Sequence, residues 1–406
     1  MSKYTILLGR GIEGTGNTKY SVELAKYLTK RGDYVVSIAT SDKKWGRTKS
    51  HNHGIAEYKI SKQYDKFVEA IDDANTLLVM SVPADNYDTL VKDNFMNLIK
   101  EAKAQGITIV YIQVDHRIHS INRNFYADSA YFEFFDLLDS VVTHTKEGDF
   151  YKFLTKRELR TNNIKVVEGG INGYDFTNAK SQWVAFEDKE YKTIRFLGRS
   201  VPWKGPWHVR DIHNNVLRQH GYKTILEGIE MSIQTVSQLY QNSTGVKIPR
   251  TDVNIQIDKE YNYSIIDRIA DSPAIITGPY VNAEGMARLR ASMFGIELLH
   301  LPDAFLSSIM EYAMIEYVAC GTVPIFRTEW AKRFKLGGKT IYEWGQEATG
   351  TIFMDDEDQT KAIELMNKLA NNKELYDKYR NNAFDFYSTH LNLDTVYDKV
   401  LEAAYN

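Results

Sequence analysis

Short apolar runs alternate with amphipathic helical patterns along the first part of the chain. Between the runs lie stretches such as residues 19–32, whose apolar positions recur every three or four residues and which end on a glycine. Strands that are continuously apolar, alternating with helices, indicate a parallel sheet covered on both faces. This part of the chain is therefore predicted to form a doubly wound α/β domain. Its predicted strands are residues 4–9, 33–40, 76–82, 107–113, 140–145 and 164–169.

The same alternation begins again after the polar segment at residues 186–192. A chain of 406 residues is long enough for two domains with separate cores. We therefore expect an α/β protein with two doubly wound, Rossmann-like domains facing a central cleft, residues 1–188 and 189–406. The predicted strands of the second domain are residues 193–198, 222–228, 273–278, 322–326 and 350–355.

Composition excludes several classes of protein. No segment reaches the roughly 18 uninterrupted apolar residues that a membrane span needs. Cys320 is the only cysteine, so we expect the protein to work in a reducing cytoplasm. No Cys/His cluster has metal-ligand spacing, so we expect no structural metal. The net charge of −3 gives no overall attraction to nucleic acid, and a contact with DNA would need a local basic patch.

Two short segments are basic enough to provide such a patch. A cluster of this kind is either a solvated loop or a surface that contacts phosphates. The candidate DNA-binding residues are Lys43, Lys44, Arg47, Lys49 and His51 in the first segment, and His116, Arg117 and Arg123 in the second.

The first strand is followed by a G-x-G-x-x-G turn, formed by Gly9, Gly11 and Gly14. Such a turn lets the backbone approach a phosphate closely, or it serves only tight packing of a strand on a helix. It is not a P-loop, because Asn17 stands where the lysine of that motif is required, before Thr18. A nicotinamide-dependent oxidoreductase stays open as an alternative, although Asp42, at the end of the second predicted strand, comes late for the acidic residue expected about 20 residues beyond the last glycine.

The segment KTIRFLGRSVPWKG (192–205) places Arg199 and Lys204 at the end of a predicted strand. Ligands of doubly wound domains bind beyond the carboxyl ends of the strands. Two cations there would hold a diphosphate and stabilise it as a leaving group. The alternative is an ordinary surface turn.

Glu311 and Glu316 belong to a predicted helix that ends at Gly321. At about 100° per residue they are separated by about 140° around an ideal helix. They either contact different parts of a ligand, or Glu311 precedes the first turn. A carboxylate is a suitable acceptor for the two hydroxyl groups of a ribose, whereas two surface carboxylates would be unremarkable.

Asp115 lies at the end of the strand predicted at residues 107–113. With His116 it could bind or deprotonate an acceptor hydroxyl. The alternative is a capping aspartate beside a half-buried histidine.

Six segments occur in an order and spacing that resembles the DNA alpha-glucosyltransferases of T-even bacteriophages, a family of retaining glycosyltransferases with the two-domain GT-B fold. These segments are GRGIEGTGNTKYSVE (9–23), VDHRIHSINRN (114–124), HTKEGDFYKFL (144–154), GRSVPWKG (198–205), ILEGIE (225–230) and EYAMIEYVACGTVPIF (311–326).

The resemblance implies transfer of an alpha-linked sugar from a UDP-sugar, with glucose expected, to 5-hydroxymethylcytosine in duplex DNA. The target base must be extruded from the duplex. The modification would protect phage DNA from nucleases in the cytoplasm of the infected host. The N-terminal domain would bind DNA and the C-terminal domain the nucleotide sugar, with the last helix packing back on the N-terminal domain. We expect a monomer.

The resemblance also implies roles for individual residues. Arg199 and Lys204 would neutralise the UDP diphosphate, so that no metal is needed, and Glu316 would hold the ribose. Further donor contacts would come from Gly14, Thr15, Gly16 and Glu227. Glu311 would lie near the donor sugar, and Asp115 beside the sugar and the incoming hydroxyl. The leaving phosphate itself would accept the proton.

One position departs from the family pattern. Val114 stands where the family has a histidine directly before the aspartate. Because this position borders the sugar, a pentose donor such as UDP-arabinose stays an alternative, as does a glycosyltransferase with a non-DNA acceptor. A non-catalytic DNA-binding module is a further alternative.

Overall fold

The computed structural model describes residues 3–8, 16–39, 56–72, 74–80, 89–114, 129–145, 163–167, 169–198, 204–227, 253–258, 263–268, 275–276, 282–301 and 306–405. The chain forms two compact units. The first is Met1–Asp175 with Leu391–Asn406, and the second is Phe176–His390. Among the described residues, no helix combines the length and apolar character needed to cross a membrane.

The first unit is built on a seven-stranded sheet in the order β3-β2-β1-β4-β5-β6-β7. All neighbouring strands are parallel. Its strands are β1 (Lys3–Leu8), β2 (Tyr34–Ala39), β3 (Ala56–Lys59), β4 (Thr76–Val79), β5 (Thr108–Ile112), β6 (Ser140–Thr143) and β7 (Ile164–Val166). Its helices are α1 (Gly16–Lys30), α2 (Tyr64–Ile71), α3 (Thr89–Ala104), α4 (Ser129–Asp136) and, at the end of the chain, α13 (Leu393–Tyr405).

The core of this unit follows from the apolar periodicity of its helices. Helix α3 buries Phe95, Leu98 and Ile99 on one side, and these residues belong to the same apolar cluster as Phe67 and Phe134. Burial of a large apolar side chain contributes about 1.5–3 kcal/mol. The fully buried strands β4 and β6 complete the expected arrangement of a parallel sheet between helices.

Helix α13 packs within the first unit, although it is the last element of the chain. The Tyr397 ring lies 5.4 Å from the Tyr20 ring of α1, centroid to centroid. The Ser140 hydroxyl donates to the Ala404 carbonyl over 2.8 Å. The close contact of Tyr397 with Gly173 leaves no room for a side chain at 173, since an added Cβ would lie 2.8 Å from the ring.

The second unit contains a six-stranded parallel sheet in the order β12-β9-β8-β13-β14-β17. These strands are β8 (Glu190–Leu197), β9 (Lys223–Glu227), β12 (Ile275–Ile276), β13 (Ser292–Glu297), β14 (Val323–Arg327) and β17 (Ile352–Met354). Two antiparallel pairs accompany it, β10 (Val253–Asp258) with β11 (Tyr263–Arg268) and β15 (Lys335–Leu336) with β16 (Lys339–Thr340).

The helices of the second unit cover this sheet with a core that includes Phe196, Phe294, Ile325 and Tyr376. They are α5 (Pro206–Asn215), α6 (Asn282–Ala291), α7 (Tyr312–Ala319), α8 (Thr328–Ala331), α9 (Ile341–Trp344), α10 (Gln346–Thr349), α11 (Thr360–Ala370) and α12 (Lys373–Leu391).

The α/β class with two doubly wound parallel sheets is confirmed. Strand β13 was absent from the sequence prediction, yet it lies between β8 and β14 at the centre of the second sheet. All of its residues are buried.

Candidate functional site

Lys204 lies at the carboxyl end of the second sheet, beside the last residue of β13. Gly198 ends the strand with φ +147°, and Gly205 precedes α5 with φ +70°. A Cβ at residue 205 would lie 2.2 Å from the Leu298 carbonyl oxygen, so only glycine fits against that backbone. Gly198 and Gly205 therefore adopt backbone conformations that suit glycine, one on each side of the buried Lys204 in the chain. Arg199 lies outside the described residues.

Two carboxyl groups flank the buried Lys204 ammonium. Its Nζ lies 3.7 Å from Oε1 of Glu297 and 3.4 Å from Oε2 of Glu311. Glu297 is the last residue of β13 and is fully buried, whereas the Glu311 side chain is about one-fifth exposed. Lys204 is therefore held in place from the sheet side and from the helix side.

Burial raises the pKa of Glu297 to about 8, although the neighbouring Lys204 opposes this rise. A raised pKa favours the protonated, neutral form of this carboxyl near neutral pH. A neutral Glu297 would offset less of the positive charge of Lys204 and leave more of it for an anionic ligand.

Tyr317 of α7 joins the ends of two neighbouring strands at this site. Its hydroxyl accepts the Leu197 N–H over 2.8 Å and donates to the Ile296 carbonyl over 3.0 Å. It also lies 3.4 Å from Oε2 of Glu297. The ring packs on Gly295, where an added Cβ would lie 2.4 Å from it. Tyr317 thus fixes the distance between β8, which leads to Lys204, and β13, which carries Glu297.

Glu311 and Glu316 occupy different positions relative to α7. Glu311 is the N-cap residue, with extended backbone (φ −67°, ψ 151°), and Glu316 is a buried residue inside the helix. The interpretation in which Glu311 precedes the first turn is confirmed. The proposed contacts of these carboxylates with sugar and ribose stay predictions.

Glu227 lies at the same sheet edge, but two arginines engage its carboxylate. Its Oε2 accepts from Nη1 of Arg195 over 2.6 Å, and its Oε1 accepts from Nε of Arg288 over 2.7 Å. Arg195 and Glu227 are both buried. This arrangement favours a role in holding β8, β9 and α6 together, and its predicted contact with the donor stays a prediction.

Several other candidate residues lie outside the described part of the chain. They are Gly14, Thr15, Asp115, Lys43, Lys44, Arg47, Lys49, His51, His116, Arg117 and Arg123. Gly16 is the first residue of α1. Val114 follows β5 and is half-buried.

The sequence interpretation missed Glu297 and Tyr317. A signal was present, because residues 292–299 (SMFGIELL) form an apolar run with one acidic residue near its end. This is the pattern by which the other central strands were recognised.

Comparison with known proteins agrees with this architecture. The family model for DNA alpha-glucosyltransferase matches residues 15–374. The DNA alpha-glucosyltransferase of Enterobacteria phage T4 is 28% identical over 397 residues, which cover 95% of each chain.

Solved structures of alpha-glucosyltransferases are also similar to this chain. An alpha-glucosyltransferase in complex with UDP and a 13-mer DNA containing an HMU base has a TM-score of 0.82 and 25% identity, with 100% of both chains covered. An alpha-glucosyltransferase with UDP-glucose and abasic-site DNA also has a TM-score of 0.82, at 26% identity, covering 100% of this chain and 99% of that one. Anabaena HepE in complex with UDP-glucose, at 12% identity and a TM-score of 0.60 over 99% of each chain, shares the fold alone. The resemblance seen in the sequence is confirmed, and this chain belongs to the DNA alpha-glucosyltransferase family.

Proposed function

We propose that this chain is a UDP-sugar-dependent DNA glycosyltransferase that transfers an alpha-linked glucose to the hydroxymethyl group of 5-hydroxymethylcytosine in duplex DNA. The observation that carries the proposal is the buried Lys204, held at the carboxyl end of β8 between Glu297 and Glu311. A cation in this place suits the diphosphate of a nucleotide sugar. Membership of the DNA alpha-glucosyltransferase family supports DNA as the acceptor.

The reaction retains the configuration of the sugar. The bond between the sugar C1 and the UDP oxygen breaks, and a bond from the acceptor oxygen to C1 forms on the same face. The acceptor proton passes to the leaving phosphate. Lys204 and Arg199 stabilise the charge that develops on that phosphate, and no metal ion is needed for this step.

The remaining residues position the two substrates. Glu316 binds the ribose hydroxyls, Glu311 lies near the donor sugar, and Asp115 contacts the sugar and the incoming hydroxyl. The turn at Gly14, Thr15 and Gly16 provides backbone N–H groups for the diphosphate.

The DNA is bound by the basic residues between Lys43 and His51 and between His116 and Arg123. Each phosphate that they neutralise should add about 0.9 to the slope of log affinity against log salt concentration. The target base is extruded to reach the donor.

Glucose is proposed as the donor sugar because the related phage enzyme is a glucosyltransferase and a structural relative holds UDP-glucose. Val114 favours the alternative of a pentose donor, since a valine removes one hydrogen-bonding partner for a hexose hydroxyl. The enzyme is proposed to act as a monomer in the cytoplasm of an infected bacterium, where the modified DNA resists nucleases.

The proposal is tested by incubating the protein with duplex DNA that contains 5-hydroxymethylcytosine and with UDP-glucose or UDP-arabinose in separate reactions. Nucleosides are then weighed by mass spectrometry, and the anomeric configuration is read by NMR. We expect one added hexose in the alpha configuration. DNA with unmodified cytosine is the matched control. No sugar on the hydroxymethylated DNA with any donor, by a protein that binds UDP, would indicate a non-DNA acceptor.

A further inference from the structure

Two histidines and an aspartate from distant parts of the chain meet at the carboxyl edge of the second sheet. His208 belongs to the first turn of α5, His300 follows β13, and Asp356 follows β17. Their potential ligand atoms all lie within 4.8 Å of one another. The donor site described above uses none of these three side chains.

The histidine nitrogens in this cluster have unused coordination capacity. The Nε2 atoms of His208 and His300 are both buried. His208 Nε2 lies 3.3 Å from Oδ1 of Asp356, which is its partner inside the cluster. His300 Nε2 makes no hydrogen bond within the described part of the chain, and because a buried polar atom without a partner costs about 1–3 kcal/mol, this nitrogen indicates a missing ligand.

The surroundings hold the three side chains in place. Arg327, at the end of β14, donates from Nε to Oδ1 and Oδ2 of Asp356 over 3.0 and 2.9 Å, and from Nη1 to the Leu299 carbonyl over 3.0 Å. The His208 and His300 rings meet edge to face, with centroids 4.8 Å apart. The His300 ring also packs on Gly205, where an added Cβ would lie 3.0 Å from its Cδ2.

We propose that His208, His300 and Asp356 form a binding site for one divalent transition-metal ion of the zinc type. Two imidazoles and one carboxylate are a typical ligand set for Zn²⁺, with water in the fourth position. Mg²⁺ and Ca²⁺ prefer oxygen ligands and fit this set poorly. Asp356 gives one oxygen to the ion and keeps the other on Arg327, which acts as the orienting partner that metal-bound carboxylates usually have.

The geometry requires a small closure around the ion. Zinc binds imidazole nitrogen at about 2.0–2.1 Å and carboxylate oxygen at about 2.0–2.2 Å. Ligand atoms of a tetrahedral site with these bond lengths lie about 3.3 Å apart. Atoms that now lie up to 4.8 Å apart must therefore approach one another by up to about 1.5 Å.

The bound ion would join α5, β13 and β17 next to the Lys204 turn. His208 lies four residues after Lys204, and His300 lies three residues after Glu297. The ion would stabilise the second unit by linkage, because the unfolded chain lacks the assembled site. This role is independent of the proposed glycosyl transfer, which needs no metal.

The test uses the full chain after chelator treatment and dialysis. Titration with Zn²⁺ against a chromophoric zinc indicator should give one bound equivalent, and thermal unfolding should shift to higher temperature with Zn²⁺. Co²⁺ in its place should produce the visible absorption bands of a tetrahedral site. X-ray absorption of the Zn²⁺ form should show two imidazole ligands.

The variants His208→Asn and His300→Asn should each bind Zn²⁺ at least tenfold more weakly. His220→Asn, which changes an exposed histidine of the same unit, is the matched control and should bind as the wild type does. Weaker Zn²⁺ binding by either folded variant supports the proposal. The test therefore still works if one of the two variants does not fold. Binding weaker than the indicator can detect, or equal binding by wild type and both folded variants, would overturn it.

Discussion

The side chain of Lys204 lies directly against Gly198, so that a Cβ at residue 198 would come within 3.2 Å of its Cδ and 3.3 Å of its Nζ. Gly198 therefore affects the position of the Lys204 side chain as well as the backbone at the end of β8. It leaves the space in which the ammonium group approaches Glu297 and Glu311.

Gly198→Ala should displace Lys204 and strain the backbone, because φ +147° is unfavourable for any residue with a Cβ. We expect a loss of stability of about 1–3 kcal/mol. The displaced ammonium should also lower kcat/KM for the UDP-sugar by about tenfold, which corresponds to about 1.4 kcal/mol. Steady-state kinetics and thermal unfolding measure the two effects separately.

Gly221→Ala is the control for this substitution. Gly221 also has positive φ, at +76°, but a Cβ there meets nothing within 4 Å. It should lose stability while kcat/KM stays unchanged. Equal losses of kcat/KM in the two variants would contradict the role of Gly198 in placing Lys204.

Lys204→Met keeps the length of the side chain and removes its charge. A hydrogen bond to a charged group contributes about 1.5–3 kcal/mol, so UDP should bind roughly 10- to 150-fold more weakly. Affinity for hydroxymethylated DNA without UDP should be nearly unchanged. Isothermal titration with UDP and fluorescence anisotropy with labelled DNA check both expectations.

Lys223→Met is the matched control, because it makes the same substitution at an exposed lysine at the amino end of β9. It should bind UDP as the wild type does. If Lys204→Met binds UDP with unchanged affinity, Lys204 is not the diphosphate contact.

Glu297→Gln should alter how stability depends on pH. The pKa of Glu297 is raised from 4.5 to about 8 in the folded protein. Between these values the folded state holds a proton that the unfolded state has lost. The free energy of unfolding of the wild type should therefore fall as pH rises through this window, by up to about 1.4 kcal/mol per pH unit. Glutamine cannot ionise and should remove this contribution.

The measurement is urea unfolding of both proteins at pH 5, 6, 7 and 8. The two should be most similar at pH 5, and the variant should gain relative stability at each higher pH, with the difference levelling off above pH 8. Parallel stability curves would show that Glu297 is not held protonated.

Glu227→Ala should be strongly destabilising, because it leaves the buried Arg195 without its nearer carboxylate partner. The other partner, Glu190, lies 3.6 Å from Nη2 of Arg195 and is more exposed. Breaking a buried ion pair by removing one partner costs about 3–5 kcal/mol. Glu187→Ala, which removes an exposed partner of Lys373, should cost far less, because water screens an exposed ion pair. Chemical unfolding of both variants measures the two losses in the free energy of unfolding. If the loss for Glu227→Ala is small, Glu227 is not needed to hold the fold together, and the predicted contact with the donor becomes its more plausible role.

Local sequence patterns determined the class of the fold and part of the site. Apolar runs and helical periodicity predicted most strands of both sheets, because burial on both faces of a parallel sheet imposes a continuous apolar pattern. The same reasoning placed Lys204 at the end of β8 and Glu311 and Glu316 near the start of α7. Strand β13 was missed because a short run that is mostly apolar is also compatible with a buried helix segment.

Only the tertiary structure determined which side chains meet. Lys204 contacts Glu297 because β8 and β13 are neighbours in the sheet, although nearly a hundred residues separate the two side chains in the chain. His208, His300 and Asp356 have no metal-ligand spacing in the sequence and come together only through the order of β13, β14 and β17. Strand order depends on the packing of the whole unit, and the periodicity of a single segment does not encode it.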